Sequence, residues 1–263
     1  METTAAAPTQ DTEPFLCGAL VGEGVRRFDD GIVNWYLLED DDGLTVVDCG
    51  FPTDWSMLTT ALGTMGRRLA DVRAVILTHG HIDHIGFAER ARQEAGATVY
   101  VHEADAPLLD SPLNIARSER NPLLYTNHSA TRKLMARAVS TGAARAKRVR
   151  EYTTFQDGDV LDEVPGRPLV VHTPGHTNGH SLFHLDDRDL LFAGDAAVTR
   201  EPYTGQLGPH IPARAATAAS EEALRSLDRL AATGASLVLT GHGEPWREGA
   251  QELARQARAA GAP

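Results

Sequence analysis

The chain has 263 residues, 42% hydrophobic and 23% charged, which suits a folded protein with a substantial buried core. Its formal net charge of −11 argues against general nucleic-acid binding, which needs an electropositive face. No apolar run approaches the ~20 residues that span a bilayer, so neither nucleic acid nor membrane is an expected partner.

The opening METTAAAPTQDTEPF has no basic stretch followed by an apolar one. It predicts a disordered tail over residues 1–14 and, without an export signal, a cytoplasmic location. Residues 15–263 are then expected to form a single domain. Cys17 and Cys49 belong to no C-x-x-C pair and read as reduced thiols in or near the core. Residues 32–38 and 44–47 are β-branched and aromatic around a polar turn ending in Gly43, a hairpin pattern. Residues 54–69 have helical spacing. Residues 73–78 form a buried strand that runs directly into His79. Residues 85–94 predict a helix closed by Gly96, and 98–101 the next strand. In the second half, 169–172, 181–185 and 190–193 predict three short strands. Residues 220–232 predict an amphipathic helix, 237–240 a strand and 249–260 a last helix. Strands that give way to β/α alternation in each half imply a mixed sheet system with helices outside.

Residues 106–150 break this alternation. They show no strand pattern and predict two or three helices. From 113 to 150 there are nine basic residues (Arg117, Arg120, Arg132, Lys133, Arg137, Arg145, Lys147, Arg148, Arg150) against Glu119, a balance of +8 in a chain of −11. Two readings fit. The segment is a helical lid that draws an anionic substrate to a site, or it is a plain solvated or subunit-contact surface.

The strongest chemical signal is residues 78–84, T-H-G-H-I-D-H, directly after a strand. Imidazole nitrogen and carboxylate oxygen are usual ligands for zinc and related divalent ions. His79 and His81, two apart in extended chain, can share one ion. Asp83 and His84 leave the chain in different directions and suit a second. Residues 171–177 (V-H-T-P-G-H-T) place His176 in a Pro-Gly turn. Residues 192–196 (F-A-G-D-A) place Asp195 at a strand end, and 239–244 (L-T-G-H-G-E) do the same for His242. His180 and His184 read as structural, and His102 and His172 as packing or surface residues. His128 and His210 are further candidates for a pocket wall.

With these residues in hand, the chain resembles the metallo-β-lactamase superfamily over about residues 15–245. That family's mark is H-x-H-x-D-H followed by a His, an Asp and a His. The resemblance implies an α/β fold, a four-layered αβ/βα sandwich of two mixed β-sheets flanked by helices. It implies two divalent metal ions, foremost zinc, with iron and manganese open. His79, His81 and His176 would bind the first ion, Asp83, His84 and His242 the second, and Asp195 both. Asp48, in Asp48-Cys49-Gly50, matches a family element that orients the ligands; a purely structural buried carboxylate is the other reading. The implied function is a hydrolase that cleaves an ester, thioester or lactone bond of a small-molecule, anionic acyl substrate by attack of a metal-bridging hydroxide. Asp83 would act catalytically on the nucleophile or the leaving group.

Among known members the motifs are most similar to glyoxalase II and to the lactonases, with departures from each. Ile85-Gly86-Phe87 stands where glyoxalase II continues with Gly-Gly. Val198 stands where acyl-homoserine lactonases carry a Tyr, although Tyr203 is close by in sequence. The late zinc-binding Cys of one β-lactamase class is replaced by Asp195. Two readings from other classes remain: an iron-dependent persulfide dioxygenase, and a non-catalytic metal-binding scaffold.

Overall fold

The computed structural model describes residues 18–110, 118–143 and 147–263. The predicted hairpin forms from β3 (Asn34–Asp40) and β4 (Gly43–Val47), with Asp40 opposite Gly43 across a two-residue turn. Its inward residues are apolar on both faces, so this pair can be covered on both sides. It sits at the middle of a seven-stranded mixed sheet. β1 (Ala19–Gly22) and β2 (Val25–Asp29) extend it antiparallel on one flank. β5 (Val72–Ile76), β6 (Thr98–His102) and β7 (Thr153–Phe155) extend it parallel on the other. The second sheet has the order β13-β10-β9-β8, from β8 (Leu169–His172), β9 (Ser181–Leu185), β10 (Leu190–Gly194) and β13 (Leu237–Thr240). A small pair, β11 (Val198–Arg200) and β12 (Leu207–His210), lies between them in sequence.

Three apolar layers hold this arrangement together. Tyr36, Leu38, Val47, Ile76, Phe183, Phe192 and Leu239 fill the space between the two sheets. On the outer face of the first sheet, Trp35, Leu37, Val46 and Val75 pack against Leu58 and Leu62 of α1 (Trp55–Thr64) and Ala88 and Ala91 of α2 (Ala88–Ala95). On the outer face of the second, Leu182, Leu191 and Val238 meet Leu227 and Leu230 of α5 (Ser220–Ala232) and Leu253 and Ala257 of α6 (Ala250–Ala260). Helix, sheet, sheet, helix is the expected four-layered αβ/βα sandwich. Among the described residues no helix is long and apolar enough to cross a membrane.

Four predicted spans recur residue for residue: β8, β9, β13 and α5. The differences have local causes. Helix α2 begins at Ala88 rather than Ile85, because residues 82–87 form turns: the Ile85 amide donates to the His81 carbonyl and the Cys49 amide to the His84 carbonyl. Helix α1 stops at Thr64, where the Gly63–Gly66 stretch turns the chain back and the Arg67 amide donates to the Leu62 carbonyl. Cys49 is a free, fully buried thiol, as expected; Cys17 and the predicted tail lie outside the described residues. The described part of the basic segment contains α3 (Ala106–Leu109), a 3-10 turn at Pro122–Tyr125 and α4 (Ser129–Ser140), joined by turns and irregular chain.

Candidate metal centre

The two sheets close on each other at one edge, and the seven candidate side chains are carried there by strand ends. His79 follows β5, His176 follows β8, Asp195 follows β10 and His242 follows β13. Hydrogen bonds stitch these ends together. The Ser181 amide donates to the Thr78 carbonyl, the Gly241 amide to the Gly194 carbonyl, and the Asn34 amide to the Gly241 carbonyl. Asn34 Nδ2 and the Tyr36 hydroxyl, both from the first sheet, donate to the Thr240 carbonyl of the second.

All seven residues converge. His176 Nε2 lies 2.9 Å from His81 Nδ1 and 3.2 Å from His79 Nε2, and those two are 3.1 Å apart. Asp195 stands between this trio and the rest, with Oδ2 3.4 Å from His176 Nε2 and 3.2 Å from His242 Nε2, and Oδ1 3.7 Å from His84 Nε2. Asp83 Oδ2 is 3.7 Å from His242 Nε2 and 4.0 Å from His84 Nε2. The donors thus fall into groups fit for a cation: His79, His81 and His176; Asp83, His84 and His242; and His79, His84 and Asp195.

The arrangement makes poor sense as hydrogen bonding alone. A neutral imidazole has one N–H and one bare nitrogen, so three facing nitrogens cannot all be satisfied by one another. Their spacing approaches the ~3.3 Å edge of a tetrahedron with zinc–nitrogen bonds of about 2.0–2.1 Å. His84 Nε2 and Asp195 Oδ1 are buried and have no hydrogen-bond partner among the described residues. Buried polar atoms without partners are costly, and a cation supplies both.

Protonation follows the same layout. Burial holds His79 and His176 well below the usual imidazole range, and neighbouring imidazoles reinforce it; burial also lowers His81. Burial opposes the charge on His84 and His242 too, but carboxylates outweigh it. Asp195, Asp48 and Asp83 raise His84 to about 9, and Asp195 and Asp83 raise His242 to about 10. Burial would raise Asp195, but His242, His84 and His176 hold it well below the carboxylate range.

The His84 and His242 rings are fixed from behind. Asp48, buried and with φ +58°, accepts from the Thr78 amide and hydroxyl (both 2.8 Å) and faces His84 Nδ1 at 2.9 Å. An Asp tolerates that left-handed backbone better than most residues. His242 Nδ1 donates to the Ile32 carbonyl at 2.6 Å. His180 is structural, as read from sequence, yet it serves this centre: its Nε2 accepts from the Asp195 amide at 3.0 Å. Gly241 allows the close approach, since a Cβ there would lie 2.1 Å from Asp195 Oδ1.

One functional residue was missed by the sequence reading. Asp105 is buried at the start of α3, and its carboxylate accepts from the Gly80 amide (2.9 Å), the Thr177 hydroxyl (2.6 Å) and the Gly179 amide (2.7 Å). It ties the loop of His79 and His81 to the loop of His176. The other candidates separate. His102 and His172 stack on each other at 4.1 Å, and His184 lies in β9. His128 precedes α4 and His210 ends β12; neither is among the residues found lining the cavity over the cluster.

That cavity, of about 210 Å³, opens onto His81, Asp83, Asp195 and His242. Its described walls are otherwise mostly nonpolar, with Phe51, Ile82, Leu134 and Met135 prominent, and include Tyr203, which carries a hydroxyl. Val198 is buried in β11, whereas Tyr203 faces the cavity. Among its described residues the basic segment therefore does border the site, but through Pro122, Leu134, Met135 and Ala138 rather than through a cation. Arg137 turns aside to Asp30 (2.6 Å) and Asp54 (3.5 Å), and Arg132 and Lys133 face solvent.

Comparison with known proteins agrees with this geometry. The probable metallo-hydrolase YflN of Bacillus subtilis is 28% identical to this chain, over 87% of each protein. The acyl-coenzyme A thioesterase MBLAC2 of Homo sapiens is 28% identical over 52% of this chain and 44% of its own length. The crystal structure of the metallo-beta-lactamase family protein TTHA1429 from Thermus thermophilus superposes with a TM-score of 0.65 at 25% identity, covering 90% of this chain and 79% of that one. Residues 28–242 match the family model for the metallo-beta-lactamase superfamily. That match takes in every residue of the cluster, and the chain belongs to the metallo-β-lactamase superfamily.

Proposed function

We propose that this protein is a dinuclear metal-dependent hydrolase, working in the cytoplasm on an ester, thioester or lactone bond of a small acyl substrate. The observation that carries this is the convergence of seven His and Asp side chains into two adjoining groups beneath an open cavity. His79, His81 and His176 would hold one ion, Asp83, His84 and His242 the other, with Asp195 shared. Nitrogen and oxygen donors suit zinc first, and iron or manganese as well. Two such ions bound together lower the pKa of a shared water toward neutrality and polarise the acyl oxygen.

The chain's own residues supply the rest. Asp83 is the more exposed of the cluster's two carboxylates, at 17% against 4% for Asp195, and it faces the cavity. On this reading it orients the attacking water and carries a proton to the leaving group. Asp48 and the Ile32 carbonyl keep the His84 and His242 rings aimed inward. The names of two relatives, a probable metallo-hydrolase and an acyl-coenzyme A thioesterase, support the reaction class.

The test is metal content by elemental mass spectrometry, followed by a panel of esters, thioesters and lactones. About two zinc ions per chain, with turnover that Asp83→Ala and His84→Ala abolish in folded protein, is the expected result. About one iron per chain with oxygen uptake on a persulfide would overturn it in favour of an oxidoreductase. Full activity of Asp83→Ala would refute the role given to that residue.

A further inference from the structure

The cavity walls bear on which acyl group enters. Helix α4 presents Thr131, Leu134, Met135 and Ala138 at spacings of three, four and seven, which is one helical face. Thr131 is buried, and its hydroxyl donates to the Tyr203 carbonyl at 2.7 Å. Leu134 and Ala138 pack with Phe51 and Ile82, next to the loop of the metal cluster. Arg137 holds the helix in place from its side. Its guanidinium ion-pairs with Asp30 and Asp54 and lies 5.9 Å over the Phe51 ring. The helix face toward the cavity is thus nonpolar, while its charges are spent on anchoring or face solvent.

We infer that α4 is the specificity element of this enzyme and that it selects a nonpolar, uncharged acyl chain seated against Leu134, Met135 and Ala138. This rests on the hydrolase reading for the reaction itself, not for the binding. The cleaved bond sits at the Asp83 and His242 end of the cavity, and the chain runs along α4. The only charged side chains among the described lining residues outside the imidazoles are Asp83 and Asp195. Both are metal ligands on this reading, so a carboxylate on the part of the chain lying along α4 would be desolvated with no counter-ion from these walls. Binding of a nonpolar chain gains from each methylene removed from water. Selection is by length and polarity of the chain, and the described cations of α4, Arg132, Lys133 and Arg137, play no part in it.

Two measurements test this. The first is kcat/KM on thioesters of straight acyl chains from two to ten carbons, using the metal-loaded protein. It should climb up to about fourfold per methylene until the cavity is full, and should hardly change with added salt. Met135→Glu should flatten the climb, and Ala138→Leu should move the optimum to shorter chains, both with metal content intact. The second needs no turnover. In protein labelled with ¹³C at the methionine methyl groups, octan-2-one should shift the Met135 signal and leave those of Met57 and Met65 in place. If no thioester, ester or lactone is cleaved but Met135 responds, the hydrolase reading fails and the chain site stands. A flat length series, a steep fall with salt, or a Met135 signal that octan-2-one does not move would overturn the inference.

Discussion

Replacing Asp105 with Ala is the sharpest test of how the centre is held. The carboxylate is 1% exposed and accepts three hydrogen bonds. Its removal leaves two backbone N–H groups, of Gly80 and Gly179, buried without partners; the Thr177 hydroxyl can rotate. An orphaned buried donor costs about 1–3 kcal/mol, and bonds to an ionised acceptor lie at the upper end. The three bonds share one acceptor group and are not additive, so the expected loss of stability is about 3–5 kcal/mol. Asp105→Asn should cost roughly half as much. An amide oxygen at the Oδ2 position keeps Gly80 and Thr177, but its NH₂ then faces the Gly179 amide, donor against donor. Urea denaturation of the metal-free proteins reads both losses. A second readout separates positioning from plain stability. The loops joined by Asp105 carry His79, His81 and His176, so affinity for the first ion should fall about 10- to 100-fold in a chelator competition. An Asp105→Ala protein that matches the parent in stability and in metal affinity would refute the reasoning.

Other consequences follow from the same geometry. Burial pushes Asp54 up to about 6, against the pull of the Phe51 amide and Arg137. The folded value lies above the unfolded ~3.9, so the contribution to stability is full below pH ~4 and is lost as pH rises through 6. The stability of the parent relative to Asp54→Asn should therefore drop by about 2–3 kcal/mol from pH 4 to pH 8, and a constant difference in denaturation midpoints would sink this account. With His84 and His242 raised to about 9 and about 10 but His79 and His176 held low, loading the full centre at pH 7 should displace about two protons, since imidazole must be neutral to ligate. Calorimetry in buffers of different ionisation enthalpy measures this, and an absence of proton release would contradict it. Gly241→Ala places a methyl against Asp195 Oδ1, so the variant should bind at most one ion per chain by mass spectrometry.

The cluster was legible in the sequence because its signals are local. Histidines and carboxylates beside strand ends, with Gly next to them, stand out along the chain. Asp105 was not legible, because its three partners are 25 to 74 positions away and nothing in Glu103-Ala104-Asp105-Ala106-Pro107 names them. The one local hint is that an Asp two residues before Pro usually starts a helix by capping it. Here the carboxylate caps nothing in its own helix and is free for the loops. The strands that were missed are short, or carry charge at inward-looking positions. β2 has the pattern V-R-R-F-D with only Val25 and Phe28 buried, and Arg27 is kept half-buried by Asp29 and Glu244. β7 and β11 have three residues each, too few for a periodicity to register. Residues 106–150 illustrate a general limit. Net charge along a helix says nothing about which face meets the site, and α4 meets it with its uncharged one.

These two parts of the site are held in different ways, and that difference has functional content. Every proposed ligand loop is braced by a group from another element: His84 by Asp48, His242 by the Ile32 carbonyl, the Asp195 amide by His180, and the His79 and His176 loops by Asp105. Helix α4 is attached by far less: one hydroxyl at Thr131, one guanidinium at Arg137 and a small nonpolar cluster. Its cavity face can therefore change, residue by residue, without cost to the metal geometry. On the proposed reading the reaction belongs to the braced sheet edge of this protein, and the choice of substrate to the helix laid against it. It follows that exchanging Leu134, Met135 and Ala138 should alter which chain is cleaved while leaving the two ions bound. A variant set there that lost its metals instead would show that α4 belongs to the centre and not to its wall.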